Sequence, residues 1–516
     1  MTRTLFLLLG LALISFDSLS QQEEPFLLEI EEFAVPNAPG LQSFVWGKWQ
    51  DDWVLIGGRT DGLHQRQPFA SFLSSDNNTQ VFVIDVQTGS VDSASLYGLP
   101  IGIYEQLQST NMEFQQQDSV LYIAGGYGYS ATVGDHTTYP NLTAVNLPML
   151  IQEVRNSGNL TSCFRQAADN RLQVTGGYMH VKQDTFYLVG GQKFLGRYNP
   201  MGPNHGPGFT QEYANSIKKF TLNDDGTSLS VQNYVEVIDT MNLHRRDYNL
   251  SPVIYPNGSE GFVAFSGVFQ HTADIPWLDI VDIYDTGYVV RTDFNQMLNQ
   301  YHTANLTVYD STNHFFHHVF FGGMSRYTLD AQGLFVDDPN VPFVTTISKV
   351  TRNPMNQLAE IQIGDMPGFL GSGAEFIPAS AEFYRGETMV LDRMNDNDRT
   401  LVGYIVGGIE STQENIFFIN DGTQSDATTR WFKVYITKGI SSSEELEING
   451  DAYFRLFAQW ESDDLAKIQY GTANPSKGII QVYSVSGTLM ETLYEGELQG
   501  TRHIDLNTSE YTAGIY

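Results

Sequence analysis

The chain carries a single cysteine, Cys163, in 516 residues, which excludes an intramolecular disulfide and leaves packing to supply stability. A lone thiol of this kind packs as a small hydrophobe. Basic residues are also scarce: 28 Lys and Arg stand against 59 Asp and Glu, a formal net charge of −31 spread along the chain rather than gathered in a tail. Such a surface repels phosphates, which argues against nucleic acid and anionic membrane as partners. Past Ile14 no window approaches the ~18 consecutive apolar residues of a spanning helix, and no transmembrane anchor is expected. Missing too are a phosphate-cradling glycine loop, a nucleophile elbow and an HExxH zinc helix.

What is present is apolar enough for a large core, with 41% hydrophobic and 13% aromatic residues. Residues 1–20 set Arg3 ahead of an apolar run from Leu5 to Ile14 and end in small residues before Gln21, the pattern of a secretory signal peptide. The mature protein is expected to be exported, either secreted or held at the cell surface.

Glycines then set a rhythm. Strand-like segments end in "VLIGG" (54–58), "LYIAGG" (121–126), "FYLVGG" (186–191), "FVAFSG" (262–267), "HVFFGG" (318–323) and "GYIVGG" (403–408). The closing glycines Gly58, Gly126, Gly191, Gly267, Gly323 and Gly408 lie 68, 65, 76, 56 and 85 residues apart, too far for hairpins and suited to blade-sized modules with variable loops. Each unit has an earlier strand, a polar turn, the glycine-ended strand, a variable loop, a third strand and a weaker fourth. Third strands are expected at 80–89, 142–147, 216–226, 278–287, 342–350 and 415–422. Four short strands in each of six units predict an all-β, six-bladed β-propeller. Two segments compete to complete the last blade, "FLLEIEEFAV" (26–35) and "RWFKVYIT" (430–437). Glycine at the strand end admits positive φ and lets neighbouring backbone pass close.

A lead-in recurs as well: "LQS" at 41–43 and 107–109 and "LQV" at 172–174 precede their glycine pairs by similar intervals. With the six glycine endings, this resembles the Kelch repeat over residues 40–440, although Ser266 replaces the first glycine of the fourth pair and the family's Tyr and Trp are only partly present. The propeller is assigned to 21–440, and 441–467 reads as a linker or transition segment. Residues 468–516 hold Asn474-Pro475-Ser476-Lys477-Gly478, the strand "IQVYSVSGTLM" with Gly487, and "IDLNTSEYTAGIY" with Gly514. These blocks resemble the C-terminal sorting domain of the Bacteroidetes type IX secretion system. The resemblance implies a small β-sandwich-like module that engages that machinery, truncated here because the chain stops at Tyr516, before the family's last basic strand.

In a four-stranded meander, turns alternate between rims, so the loop after each glycine pair and the connection to the next blade share one face. The long loops on that face carry Arg59, His64, His136, Arg197, Tyr198, His205, His271, Trp277, Arg326 and Tyr327. The lead-ins "HRRDYN" (244–249) and "QYHTAN" (300–305) add Arg246 and His302. Rings mixed with hydrogen-bond donors suit a carbohydrate or protein ligand, so a binding module is expected and no catalytic residue is assigned.

An enzyme is the alternative. Tyr301 beside His302 resembles the Kelch-related, galactose-oxidase-like copper enzymes, which implies copper and makes Cys163 the only thiol available to crosslink a tyrosine. A hydrolase would need a bound metal or clustered titratable groups in the central pocket. "MNDNDRT" (394–400) gathers oxygen atoms that could attract calcium but lacks the spacing of a calcium loop. "NDDGTS" (223–228), a single faint echo of the sialidase aspartate box, reads as a β-turn. His317 and His318 adjoin on a strand and should point to opposite faces, which argues against a zinc site with His314.

Overall fold

The computed structural model describes residues 25–206, 208–330, 335–439, 454–462, 465–483 and 489–507. Residues 1–20, Gly487 and Gly514 lie outside them. Short strands that alternate buried and less buried side chains, joined by tight polar turns, pair with their sequence neighbours. The first sheet runs Val45–Trp49, Asp52–Ile56, Gln80–Asp85, Ser90–Ser95, with Trp49 opposite Asp52 across its first turn. The same antiparallel order recurs in Thr110–Gln117, Val120–Ser130, Asn141–Asn146, Phe164–Ala168 and in Tyr178–Lys182, Thr185–Val189, Ser216–Asp224, Leu229–Ile238. It recurs again in Asn249–Ile254, Glu260–Phe265, Ile280–Tyr284, Gly287–Arg291 and in Asn305–Asp310, Phe315–Phe321, Thr346–Arg352, Leu358–Asp365. The protein is an all-β propeller.

Five blades are therefore built from continuous chain, where six were expected. The sixth glycine-ended strand, Arg399–Ser411, belongs to a composite closing sheet, flanked by Phe369–Pro378 and Trp431–Lys438. Its outer strand is Phe26–Phe33, paired from Phe26↔Lys438 to Phe33↔Trp431. Both competing segments are thus used, side by side. The expected third strand at 415–422 is not formed; 417–419 is a turn, and the Asn420 amide is held by Leu63 O at 2.6 Å and His64 O at 3.1 Å. A helix, Leu147–Arg155, also interrupts the second sheet. The Asn146 side chain caps it by accepting the Met149 N–H at 3.1 Å, Pro148 occupies its first turn, and Leu147, Leu150 and Val154 join one apolar cluster with Val54 and Val81 of the first sheet.

Between sheets the packing is mostly apolar, as where Trp53 meets Tyr404 at 4.8 Å and Trp431 at 6.1 Å. Ionic contacts join sheets as well: Arg165 of the second meets Asp224 of the third at 2.5 Å, and Asp282 of the fourth is fully buried and receives Arg352 of the fifth at 2.5 Å and 3.1 Å, and Arg291 at 3.2 Å. His317 and His318 do point apart, one against Phe26 of the closing sheet and the other against Phe265 of the fourth. "NDDGTS" forms the turn between Ser216–Asp224 and Leu229–Ile238, with Asp225 accepting the Thr227 and Ser228 N–H groups.

The glycine pairs tie each sheet to the next. Gly58 N–H donates to Ser109 O (2.8 Å), Gly126 to Val174 O (2.9 Å), Gly191 to Arg245 O (2.8 Å), Gly323 to Leu370 O (2.7 Å) and Gly408 to Leu41 O (2.8 Å), each acceptor lying at or beside the start of the following sheet. At the fourth sheet the Ser266 hydroxyl makes the corresponding link, to Asn299 O at 2.8 Å. The preceding glycines have positive φ and no room: a Cβ on Gly125 would sit 1.9 Å from Val174 O, and one on Gly322 2.1 Å from Leu370 O.

After the propeller unit, Phe26–Gly439, the described residues form a three-stranded antiparallel sheet of Phe454–Ser462, Leu465–Tyr483 and Leu489–Asn507. Its first strand falls inside the stretch read as linker, and Asn474, Pro475 and Gly478 lie on its second.

Gly125→Ala is expected to lower the urea unfolding free energy by about 2–4 kcal/mol, combining backbone strain with a backbone clash. Gly134→Ala, also at positive φ but with nothing within 4 Å of the added Cβ, should cost about 1 kcal/mol. Equal losses would contradict the role given to the inter-sheet carbonyl.

Candidate functional site

The long loops meet on one face and largely hold one another. Arg59, 4% exposed, clasps Asp61 through two 2.7 Å bonds, reaches Asn77 at 3.0 Å and lies 5.0 Å from the Phe72 ring. His64 packs against Phe72, Tyr198 and Phe417, rings from the first, third and closing sheets' loops, and burial with the nearby Arg246 and Arg59 charges lowers its pKa to about 4. His136 Nε2 lies 2.8 Å from Phe72 O. Arg197 donates to Ser71 O and Phe69 O, both at 2.7 Å, and Tyr198 N–H donates to the Tyr127 hydroxyl at 2.8 Å. These residues come together, and the protein itself uses the polar side-chain atoms of Arg59, His136 and Arg197.

A second group is more open. Tyr213 stacks on His244 at 3.7 Å, His244 lies against His271 at 4.1 Å, and Trp277 meets His271 edge to face at 6.0 Å. Trp277 is oriented by its Nε1–H, which donates to His244 O at 2.9 Å. Arg246 joins from the same lead-in as His244, paired with Asp247, 3.2 Å from the Tyr213 hydroxyl and 5.1 Å from the Phe269 ring. Burial, then the neighbouring His271 and Arg246, lowers the His244 pKa to about 4, so it stacks as a neutral ring. His271 is exposed. His205 is exposed on its own loop, and Arg326 is engaged by Asp337 at 2.7 Å with Tyr327 beneath it, apart from both groups.

The first strands of neighbouring sheets approach one another and enclose an axial cavity of about 150 Å³. His302 is the one predicted residue on its wall; Glu113, His180, Asp247, Glu375 and Glu387 also line it. Glu113 is 1% exposed, and its Oε1 accepts the Gly177 N–H at 2.8 Å. Burial, opposed by that bond, pushes its carboxyl up to about 8. Glu375 receives Trp46 Nε1–H at 3.3 Å, and burial pushes it to about 8 as well. His180 has an acceptor at each nitrogen, Leu250 O at 2.9 Å from Nε2 and Glu387 Oε2 at 2.8 Å from Nδ1. Although burial disfavours the imidazolium, the Glu387 charge beside it raises its pKa overall. Burial would raise Glu387, but His180 and the Gln115 amide, 2.7 Å away, bring it below the ordinary value.

Glu387 stands in an insertion of the closing sheet whose strand Thr388–Val390 pairs parallel with the inner edge of Asn305–Asp310. Beyond it opens a second cavity of about 960 Å³, sharing Trp46, Gln115, Gln116, Pro252, Pro378 and Glu387 with the first.

Cys163 lies in the apolar cluster of the first and second sheets with its pKa pushed up to about 11 by burial, and Tyr301 and His302 are not in that cluster. Among the described residues no group of three or more His, Cys, Asp or Glu is placed to hold a metal ion, and no helix is long and apolar enough to cross a membrane. The turn at 394–400 holds itself, with Asn395 Nδ2 2.9 Å from Asp398 and Asp396 paired to Lys438 at 3.0 Å.

No protein-family model matches the chain, and no curated protein does. Among solved structures, one described as that of YjhT is similar at 10% identity and a TM-score of 0.42, over 79% of this chain and 99% of that one.

Glu113 and Glu375 each have an ordinary value of 4.5 and sit near 8 in the fold, so their stabilising effect is complete below about pH 4.5 and is lost as pH rises toward 8. The urea unfolding free energy should fall between pH 5 and pH 8, and Glu113→Gln should flatten that fall. An unchanged slope would contradict the buried neutral carboxyl.

Proposed function

We propose that this protein is an exported, Kelch-like propeller that binds a glycan on its loop face. The observation that carries the reading is the ring series Tyr213, His244, His271 and Trp277 beside Arg246, with His271 exposed. Sugar C–H faces stack on such planes while a guanidinium and imidazole serve the hydroxyls. The recurrent glycine endings support the Kelch assignment. Arg3 with the apolar run Leu5–Ile14, and Asn474-Pro475 through Gly478 near the other end, support delivery to the surface or medium by a Bacteroidetes type IX system. A second reading, acid–base catalysis, draws on the axial cavity: a carboxyl raised to about 8, Glu375, and a lowered one, Glu387, both act on His180.

An oligosaccharide array, followed by titration of each hit, tests the first reading. His271→Ala and Trp277→Ala should each weaken binding about tenfold, or ~1.4 kcal/mol, whereas Met355→Ala, at an exposed residue 65% accessible on another surface, should leave it unchanged. Hits indifferent to both ring substitutions would refute the loop face as the site. Deleting residues 441–516 should retain the protein inside the cell envelope.

A further inference from the structure

The axial cavity has a chemistry distinct from the loop face. Four carboxyl-bearing residues line it, Glu113, Asp247, Glu375 and Glu387, and no Lys or Arg does. Glu113 is 1% exposed and its Oε2 has no hydrogen-bond partner, an acceptor on the cavity wall left open where nearly all buried polar atoms are satisfied. The rest of the wall is mixed, and five Phe, Trp and Tyr rings stand in it, Phe44, Trp46, Phe114, Tyr178 and Phe376.

We propose that this cavity binds a small organic ammonium ion, held by Glu113 and Glu375 among the ring side chains of its wall. An ammonium group offers N–H or polarised C–H donors to the open carboxyl oxygen, and ring faces attract a desolvated cation. An anion would meet the carboxyl groups. A divalent metal would need several converging oxygen or nitrogen ligands, and no such group occurs among the described residues. A volume of about 150 Å³ is also of the order that accommodates a benzene-sized guest. The wider cavity beyond Glu387 provides access; its Lys48 and Lys182 are occupied, by Pro378 and Ala379 carbonyls and by Asp285 respectively.

The proposal has a proton signature. Glu113 is faced by the Gly177 N–H, Lys218 and Asp247; Glu375 by Trp46 and His180; Glu387 by His180 and Gln115. With Glu113 and Glu375 both near 8, the cavity enters neutral solution mostly protonated at these positions, and a bound cation favours their ionised forms. Binding therefore releases protons and tightens as pH rises.

Isothermal titration of the full chain with methylammonium and with tetramethylammonium chloride tests this, at pH 6, 7 and 8 and in two buffers of different ionisation enthalpy. The expected result is saturable one-to-one binding that tightens by up to about tenfold per pH unit, with heats that differ between buffers by the release of about one proton. Glu113→Gln should weaken binding at least about tenfold and reduce the buffer difference, with Glu375 left as the remaining carboxyl that releases a proton. No saturable heat up to about 10 mM, or binding independent of both pH and Glu113, would overturn the proposal. Saturation by calcium chloride instead of either ammonium salt would overturn it in favour of a metal. If Glu113→Gln fails to fold, the pH and buffer dependence of the unsubstituted protein decides.

Discussion

One backbone hydrogen bond, repeated around the ring, sets the spacing of everything else. At five junctions the second glycine of a pair donates to a carbonyl at or near the start of the next sheet, and the last of these, Gly408 to Leu41, joins the end of the ring to its beginning. The bond is short because the preceding residue has positive φ and, at the five glycine pairs, no Cβ. Ser266 is the informative exception: it keeps positive φ, carries a side chain, and sends its hydroxyl to Asn299 O. The inter-sheet tie survives with a different donor. Because every sheet is anchored at this inner point, the loops beyond it can differ in length and content without moving the strands.

That arrangement separates two environments. On the loop face, Arg59 spends its polar atoms on its own loop, Arg197 and His136 reach that same loop from others, and the open rings of the Tyr213–Trp277 group remain. Along the axis, burial dominates. Burial holds Glu113 and Glu375 toward their neutral forms, whereas the direct His180 and Gln115 contacts hold Glu387 toward its ionised form, so one cavity contains carboxyl groups of opposite protonation tendency.

Legibility in the sequence followed this division. The glycine endings carry a local steric requirement, so they marked all six glycine-ended strands. "NIFFINDG" failed because an apolar run resembles a strand even where, as at Asn420, the chain is needed to hold another loop. The helix Leu147–Arg155 had a readable start in Asn146-Leu147-Pro148, masked by the expectation of a fourth strand. The axial carboxyl groups were missed although a signal existed: Glu113 in "NMEFQQQ", His180 in "YMHVK" and Glu375 in "GAEFIP" each interrupt the first strand of a sheet with an ionisable residue. Only the ring geometry brings those three interruptions together.

The outer strand of the closing sheet, Phe26–Phe33, is made early by the ribosome, whereas its partner Trp431–Lys438 follows some 400 residues later. Until then the early strand has only unpaired edges, and its pairing is of very high sequence separation, the kind that forms late and slowly. Glu29 and Glu31 charge one face of that strand and Glu32 the other during that wait, a safeguard against premature edge-to-edge association. Ring closure thus joins five meanders of continuous chain through a pairing that cannot form until the last of them has been made.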